Sequence, residues 1–128
     1  MGYESRIYIV RKETRMDPEV NKRYGEVLSV FNLGKVSPEF EKWFDQQKPT
    51  DCYIYADNGD TVVLEDEYGD PLKECDPFEL KNRLRYEYAE QTMARCEMMQ
   101  ILGGYVIPHV INLYKYEIDR IAFLHYGY

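Results

Sequence analysis

With 128 residues, 45% of them apolar and 30% charged, the chain has the size and composition of one domain around one core, which excludes a disordered tail or a membrane protein. No apolar run approaches the ~18 residues that a spanning helix requires. Residues 1–10 carry Glu4 and Arg6 without a small-residue cleavage site, so no signal peptide is expected and the expected compartment is the cytoplasm.

The net charge of −7 is unevenly spread. Residues 1–50 carry nine bases against eight acids, and residues 80–128 carry six against five. Residues 51–79 carry ten acids and one base, Lys73. Such a field repels nucleic-acid backbones and favours basic protein surfaces, so the expected partner is a protein and not nucleic acid or a membrane.

In chain order, residues 5–12 place Ile7 and Ile9 on one parity and Tyr8 and Val10 on the other, the pattern of a strand covered on both faces. Residues 13–23 are polar, and Asp17-Pro18 reads as a turn or a short helix start. A second strand follows over residues 26–33, ended by Gly34. Ser37-Pro38-Glu39 then opens a helix: a hydroxyl for the orphan backbone donors, a proline with none to waste, and an acid at the positive end. Phe40, Trp43 and Phe44 form its apolar stripe, and Pro49 is expected to stop it.

Asp57-Asn58-Gly59-Asp60 between two β-branched and aromatic runs predicts a hairpin over residues 52–65, with Asn58-Gly59 as a type I′ turn. An acidic loop with Gly69 and Pro71 comes next. Asp76 and Glu79 have capping-box spacing, and the helix they open is predicted to run to about Leu102 and stop at Gly103-Gly104. One stripe on it holds Leu80, Leu84, Tyr88, Met98 and Leu102; the other holds Tyr86, Ala89, Met93 and Cys96 and is predicted to be a core face or a dimer seam. Pro108 can open a short helix through Val110, Ile111 and Tyr114, and residues 119–126 close the chain as a strand. The expectation is a single α+β domain over residues 1–128, an antiparallel sheet of about five strands with one short and one long helix packed on it.

Candidate chemistry is sparse. Cys52, Cys75 and Cys96 are odd in number and widely spaced, which argues for buried free thiols over disulfides or a zinc site. His109 and His125 lack the surroundings of a Cys–His nucleophile pair, and each is expected to be a hydrogen-bonded structural histidine. The acidic stretches lack the register of a calcium loop, and no phosphate-cradling glycine loop is present. No catalytic, cofactor-binding or metal-ligating residue is therefore assigned. Acid beside exposed tyrosine suits the gripping of a basic surface, which makes Asp57, Asp60, Asp66, Glu67, Tyr68 and Asp70 the candidate partner-binding residues.

Three stretches resemble small uncharacterised proteins encoded by phages and prophages of Gram-positive bacteria. They are residues 7–10, residues 49–59 continuing through 68–74, and the closing Leu124-His125-Tyr126-Gly127-Tyr128. The resemblance implies a host-cell cytoplasmic setting, in which small acidic phage proteins bind host or phage enzymes and some inhibit defence nucleases by imitating nucleic-acid charge. It carries no activity and no site residues. The functional expectation is a non-enzymatic, acidic protein-binding module acting on a basic surface such as that of a nucleic-acid-binding enzyme. A self-associating structural or assembly protein, as a homodimer, is the alternative, and a small enzyme ranks third.

Overall fold

The computed structural model describes residues 4–90 and 97–128. Two long strands, β1 (Ser5–Asp17) and β2 (Lys22–Gly34), form an antiparallel hairpin. Residues 13–17, which the sequence pattern does not mark as strand, continue β1 because Met16↔Arg23 and Asp17↔Lys22 extend the ladder beyond the core, and the turn expected at Asp17-Pro18 follows over residues 18–21. Backbone pairing holds this arm, together with the Tyr53 hydroxyl donating to Asp17 and the Lys22 ammonium donating to the Thr50 carbonyl, and it has no apolar alternation to announce it. Asn21, at φ 56°, makes the reversal, with its N–H donating to the Asp17 carbonyl at 2.7 Å.

Helix α1 (Pro38–Asp45) starts as expected, the Ser37 Oγ accepting from the Phe40 N–H at 3.2 Å. The remaining strands are β3 (Lys48–Pro49), β4 (Cys52–Tyr55), β5 (Val62–Val63), β6 (Lys73–Cys75) and the closing β7 (Ile121–Gly127). The sheet has seven strands in the order β3-β6-β7-β1-β2-β4-β5, all antiparallel except β2 with β4. The fold class is α+β, and the strands beyond the expected five are two or three residues long, too short to leave a periodic signal. β3 and β4 stand towards opposite margins of the sheet yet are separated only by Thr50 and Asp51, so this dipeptide ties the two sides together.

Both parities of β1 are buried, as its sequence pattern requires. Ile7, Ile9, Phe123 and Ile121 pack under the helices with Phe40, Phe44, Leu80 and Leu84. On the opposite face Val10, Ala122 and Leu124 pack with Cys52, Ile54 and Leu72. The segment from β4 to β6 is thus the cover of the second face.

The single long helix expected over residues 77–102 is not formed. Helix α2 (Pro77–Glu90) begins at Asp76, whose Oδ1 accepts from the N–H groups of Phe78 and Glu79 at 2.9 and 3.0 Å. Helix α3 (Glu97–Ile101), a π-helical turn (Leu102–Val106) and helix α4 (Ile107–Leu113) then lie back on α2. A Cβ on Gly103 would stand 2.9 Å from the Leu84 Cβ, whereas one straight helix would separate these residues by about 28 Å.

Gly103 and Gly104 do not stop the helix, and neither adopts the positive φ of a C-terminal cap. Gly103 lets two helices approach closely. The wide π turn just before Pro108 fits a residue that has no N–H to donate and whose ring crowds the preceding turn. In the second predicted stripe, Tyr86 and Ala89 are exposed, and Met93 and Cys96 fall outside the described residues. Among the described residues no helix is long and apolar enough to cross a membrane.

Candidate interaction face

The expected hairpin is present, with Ile54↔Val63 and Tyr55↔Val62 as its pairs, but the turn is not the two-residue type I′ expected. Only Gly59 has a positive φ, +79°, and the connection spans residues 56–61. The Asn58 side chain decides the difference. Its Oδ1 accepts from the N–H groups of Asp60 and Thr61 at 2.9 and 3.1 Å, and its Nδ2 donates to Thr61 Oγ1 at 3.0 Å. This local ring of bonds holds Asn58 at negative φ. Asp57 and Asp60 project from the turn into solvent.

A second turn over residues 66–70 is built on Asp66. Its Oδ1 accepts from the N–H groups of Tyr68 and Asp70 at 2.9 and 3.0 Å, and its Oδ2 accepts from the Gly127 N–H at 3.2 Å. Gly69, at φ +81°, completes the reversal. Asp66 is half-buried and its carboxylate is committed to backbone donors, so the predicted partner-binding role does not suit it. Glu67, Tyr68 and Asp70 are exposed, Tyr68 at 49%.

The predicted set therefore divides: Asp57 and Asp60 share one turn, while Glu67, Tyr68 and Asp70 share the other with Glu65 beside them. Residues 62–65, about 13 Å of extended chain, separate the two groups. Among the described residues no ion pair engages Asp57, Asp60, Glu65, Glu67 or Asp70.

Two further acids of the segment are internal. Lys12 Nζ lies 3.0 Å from Glu74 Oε2 and 3.3 Å from Asp51 Oδ1, and Arg23 Nε lies 3.3 Å from Asp51 Oδ2. Thr50 Oγ1 donates to Glu74 Oε1 at 2.9 Å. Burial opposes the Lys12 charge, but the Glu74 hydrogen bond and the flanking anions outweigh it and hold the ammonium above its ordinary pKa. Burial opposes the Asp51 charge, but the Lys12 charge and hydrogen bond together with the Arg23 charge outweigh it and hold Asp51 below the usual carboxylate value.

Asp51, Cys52 and Glu74 bring potential metal-ligand atoms within 4.8 Å of one another, a cluster that sequence spacing does not show. The Lys12 ammonium already holds that position. Burial pushes the Cys52 thiol up to about 11, so it stays protonated at neutral pH. The cluster is a strut fixing Thr50-Asp51 across the sheet. The sequence signal for it was Lys12 itself, a base continuing the buried parity of Tyr8 and Val10.

A cleft of about 510 Å³ opens beside the strut, and its walls carry Lys12 and Lys48 against Glu74, Asp76 and Asp119. Both signs of charge are present, so the cleft favours no one ligand charge. Of the histidines, His109 is exposed, and His125 is buried with Nε2 2.9 Å from Ser5 Oγ and its ring stacked on Phe44. Cys75 is also a buried free thiol, and Cys96 lies outside the described residues.

The terminal tyrosines are internally engaged. The Arg6 guanidinium lies 4.4 Å from the Tyr128 ring centre and 5.5 Å from that of Tyr126, and its Nη1 donates to the Tyr8 hydroxyl at 3.1 Å. Tyr24, Tyr53 and Tyr55 form a second group, in which the Tyr53 hydroxyl donates to Asp17 Oδ2 at 2.7 Å. No protein-family model matches the chain, and neither does any curated protein or solved structure.

Proposed function

We propose that the chain is a protein-binding module that engages a basic protein surface through its two acidic turns. The observation that carries this reading is the set Asp57, Asp60, Glu65, Glu67 and Asp70: all exposed, none ion-paired among the described residues, and all on or, for Glu65, directly beside turns rigidified by side chain-to-backbone bonds. Pre-ordered charges lose little conformational entropy on binding and steer an oppositely charged partner. A groove that ordinarily takes a nucleic-acid backbone is the surface best suited to them, consistent with the phage-type inhibitor context implied by the sequence resemblance. Non-enzymatic action accords with Cys52 being held as a thiol and with His125 being buried against Phe44.

The test is capture from host lysate by the immobilised chain and by a D57N/D60N/E65Q/E67Q/D70N variant. Partners specific to the acidic turns are expected to fall away with added salt, since exposed charges reach only about 8 Å at ~0.15 M. They are also expected to associate more slowly with the variant, with dissociation little changed. Capture of the same proteins at the same rates by both chains would refute the proposal.

A further inference from the structure

β2 is thirteen residues long and pairs with β1 along nearly its whole inner side. On its outer side it pairs with β4 only at Arg23 and Tyr24, and among the described residues no other strand joins it. From Glu26 onward, among the described residues, no strand pairs with this edge, although α3 packs against β2. Natural sheets guard such edges with lysine, proline, irregular register or a covering element, because a bare edge templates pairing with another chain. Residues 26–33 hold no lysine and no proline. Leu28 is 39% exposed and Val30 45% exposed. Register irregularities fall at Leu28 and Leu33, which leave residues 29–32 between them in regular pairing with β1.

We infer that this edge is the seam of a homodimer, in which β2 of one copy pairs antiparallel with β2 of a second copy about a two-fold axis near Val30. Charge makes a second copy the fitting occupant. The centre of the edge, residues 27–34, carries no charge, with Glu26 before it and Lys35 after it. Antiparallel copies bring Glu26 of each chain towards Lys35 of the other, and a parallel partner strand would not. Among the described residues Glu26 otherwise has a loose contact with Arg11 at 3.8 Å, and Lys35 is exposed. The edge also lies in residues 1–50, whose nine bases and eight acids nearly balance, so two copies of an acidic chain can meet there with least repulsion. An isologous seam closes after two copies, which spares the protein open-ended edge-to-edge growth.

The experiment is sedimentation equilibrium of the full chain over a broad concentration range. The wild-type chain is expected to dimerise reversibly. Val30→Lys, a guard residue on an already exposed position, is expected to raise the dissociation constant about tenfold or more. Glu26→Lys and Lys35→Glu are each expected to weaken the dimer, and the double exchange to restore it, while Leu113→Lys on exposed α4 changes nothing. Circular dichroism of each variant separates lost association from lost folding. A wild-type chain that stays monomeric throughout, a Val30→Lys variant that folds and dimerises undiminished, or a folded double exchange no better than its parents would each overturn the inference. Neutralising the five exposed acids is expected to leave the dimer intact, so its failure is distinct from that of the proposed partner binding.

Discussion

His125 makes the stability of this fold depend on pH in a window where few of its other groups titrate. The side chain is 3% exposed, its ring centre lies 3.9 Å from that of Phe44, and burial, aided by the charge of Lys73, pushes its pKa from 6.5 down to about 3. The unfolded chain takes up this proton near pH 6.5 and the folded chain only near pH 3, so between these values the unfolded state binds more protons. Stability is therefore full above pH 6.5 and falls as the pH drops, by about 1.4 kcal/mol per unit once well below 6.5. The loss amounts to about 2 kcal/mol at pH 5 and about 3.4 kcal/mol at pH 4. Asp17 and Asp51, both held below the ordinary carboxylate value, add their own losses only below about pH 4. Ser5→Ala with His125→Phe keeps a ring on Phe44 and removes both the titrating group and its hydroxyl partner. Urea denaturation followed by the fluorescence of Trp43, which packs 5.5 Å from Phe44, reports stability at each pH. The wild-type and double-variant curves are expected to converge or cross towards acid, their difference changing by about 2 kcal/mol between pH 7 and pH 5. Parallel curves over that interval would refute the argument.

Other consequences are equally direct. Glu87, fully buried, accepts from Ser37 Oγ at 2.7 Å and lies 2.7 Å from Arg83 Nη2; Glu87→Leu strands the guanidinium and is expected to cost about 3–5 kcal/mol, and Glu87→Gln much less, by urea denaturation. Gly103→Ala drives a methyl into Leu84 and is expected to cost about 1–3 kcal/mol, whereas Gly104→Ala meets open space and is expected to stabilise by about 0.5–1 kcal/mol, so thermal melts of the two should shift in opposite directions. Lys12→Met leaves Glu74 and the half-exposed Asp51 facing each other without their cation and is expected to lower stability by about 2–3 kcal/mol, while a chelator leaves the wild-type melting temperature unchanged because the ammonium already serves the cluster.

What could be read from the sequence was whatever local chemistry settles. The Ser37 and Asp76 caps, the two-faced burial of β1, the 52–65 hairpin and the α+β class follow from short-range patterns that tertiary packing did not override. The reversal between α2 and α3 was not legible, because a helical stripe looks the same whether its chain runs straight or folds back. Gly103 likewise reads as a stop or as a contact point until the position of Leu84 is known. The turn type at Asn58-Gly59 depended on where the Asn58 amide found its partners. Five of the six candidate residues are exposed, and no local pattern marks Asp66 as a brace, because its third donor, the Gly127 N–H, lies 61 residues away.

Nine of the ten acids of residues 51–79 thus divide into two kinds, and the difference bears on any partner. Asp51, Glu74, Asp66 and Asp76 hold the segment in place through Lys12, Arg23 and backbone donors. The exposed acids ride on that same segment, whose inner side chains Ile54 and Leu72 cover Val10 and Leu124. A protein that gripped the turns would therefore be gripping the cover of the second core, and binding to the folded state alone would stabilise that cover by mass action. The anchors act in the opposite sense: by fixing both turns before an encounter, they reduce the ordering that binding would otherwise require. Replacing an anchor such as Asp66 should therefore weaken binding through lost order, accompanied by lost stability, whereas replacing Asp57 or Asp70 should weaken it through lost charge alone.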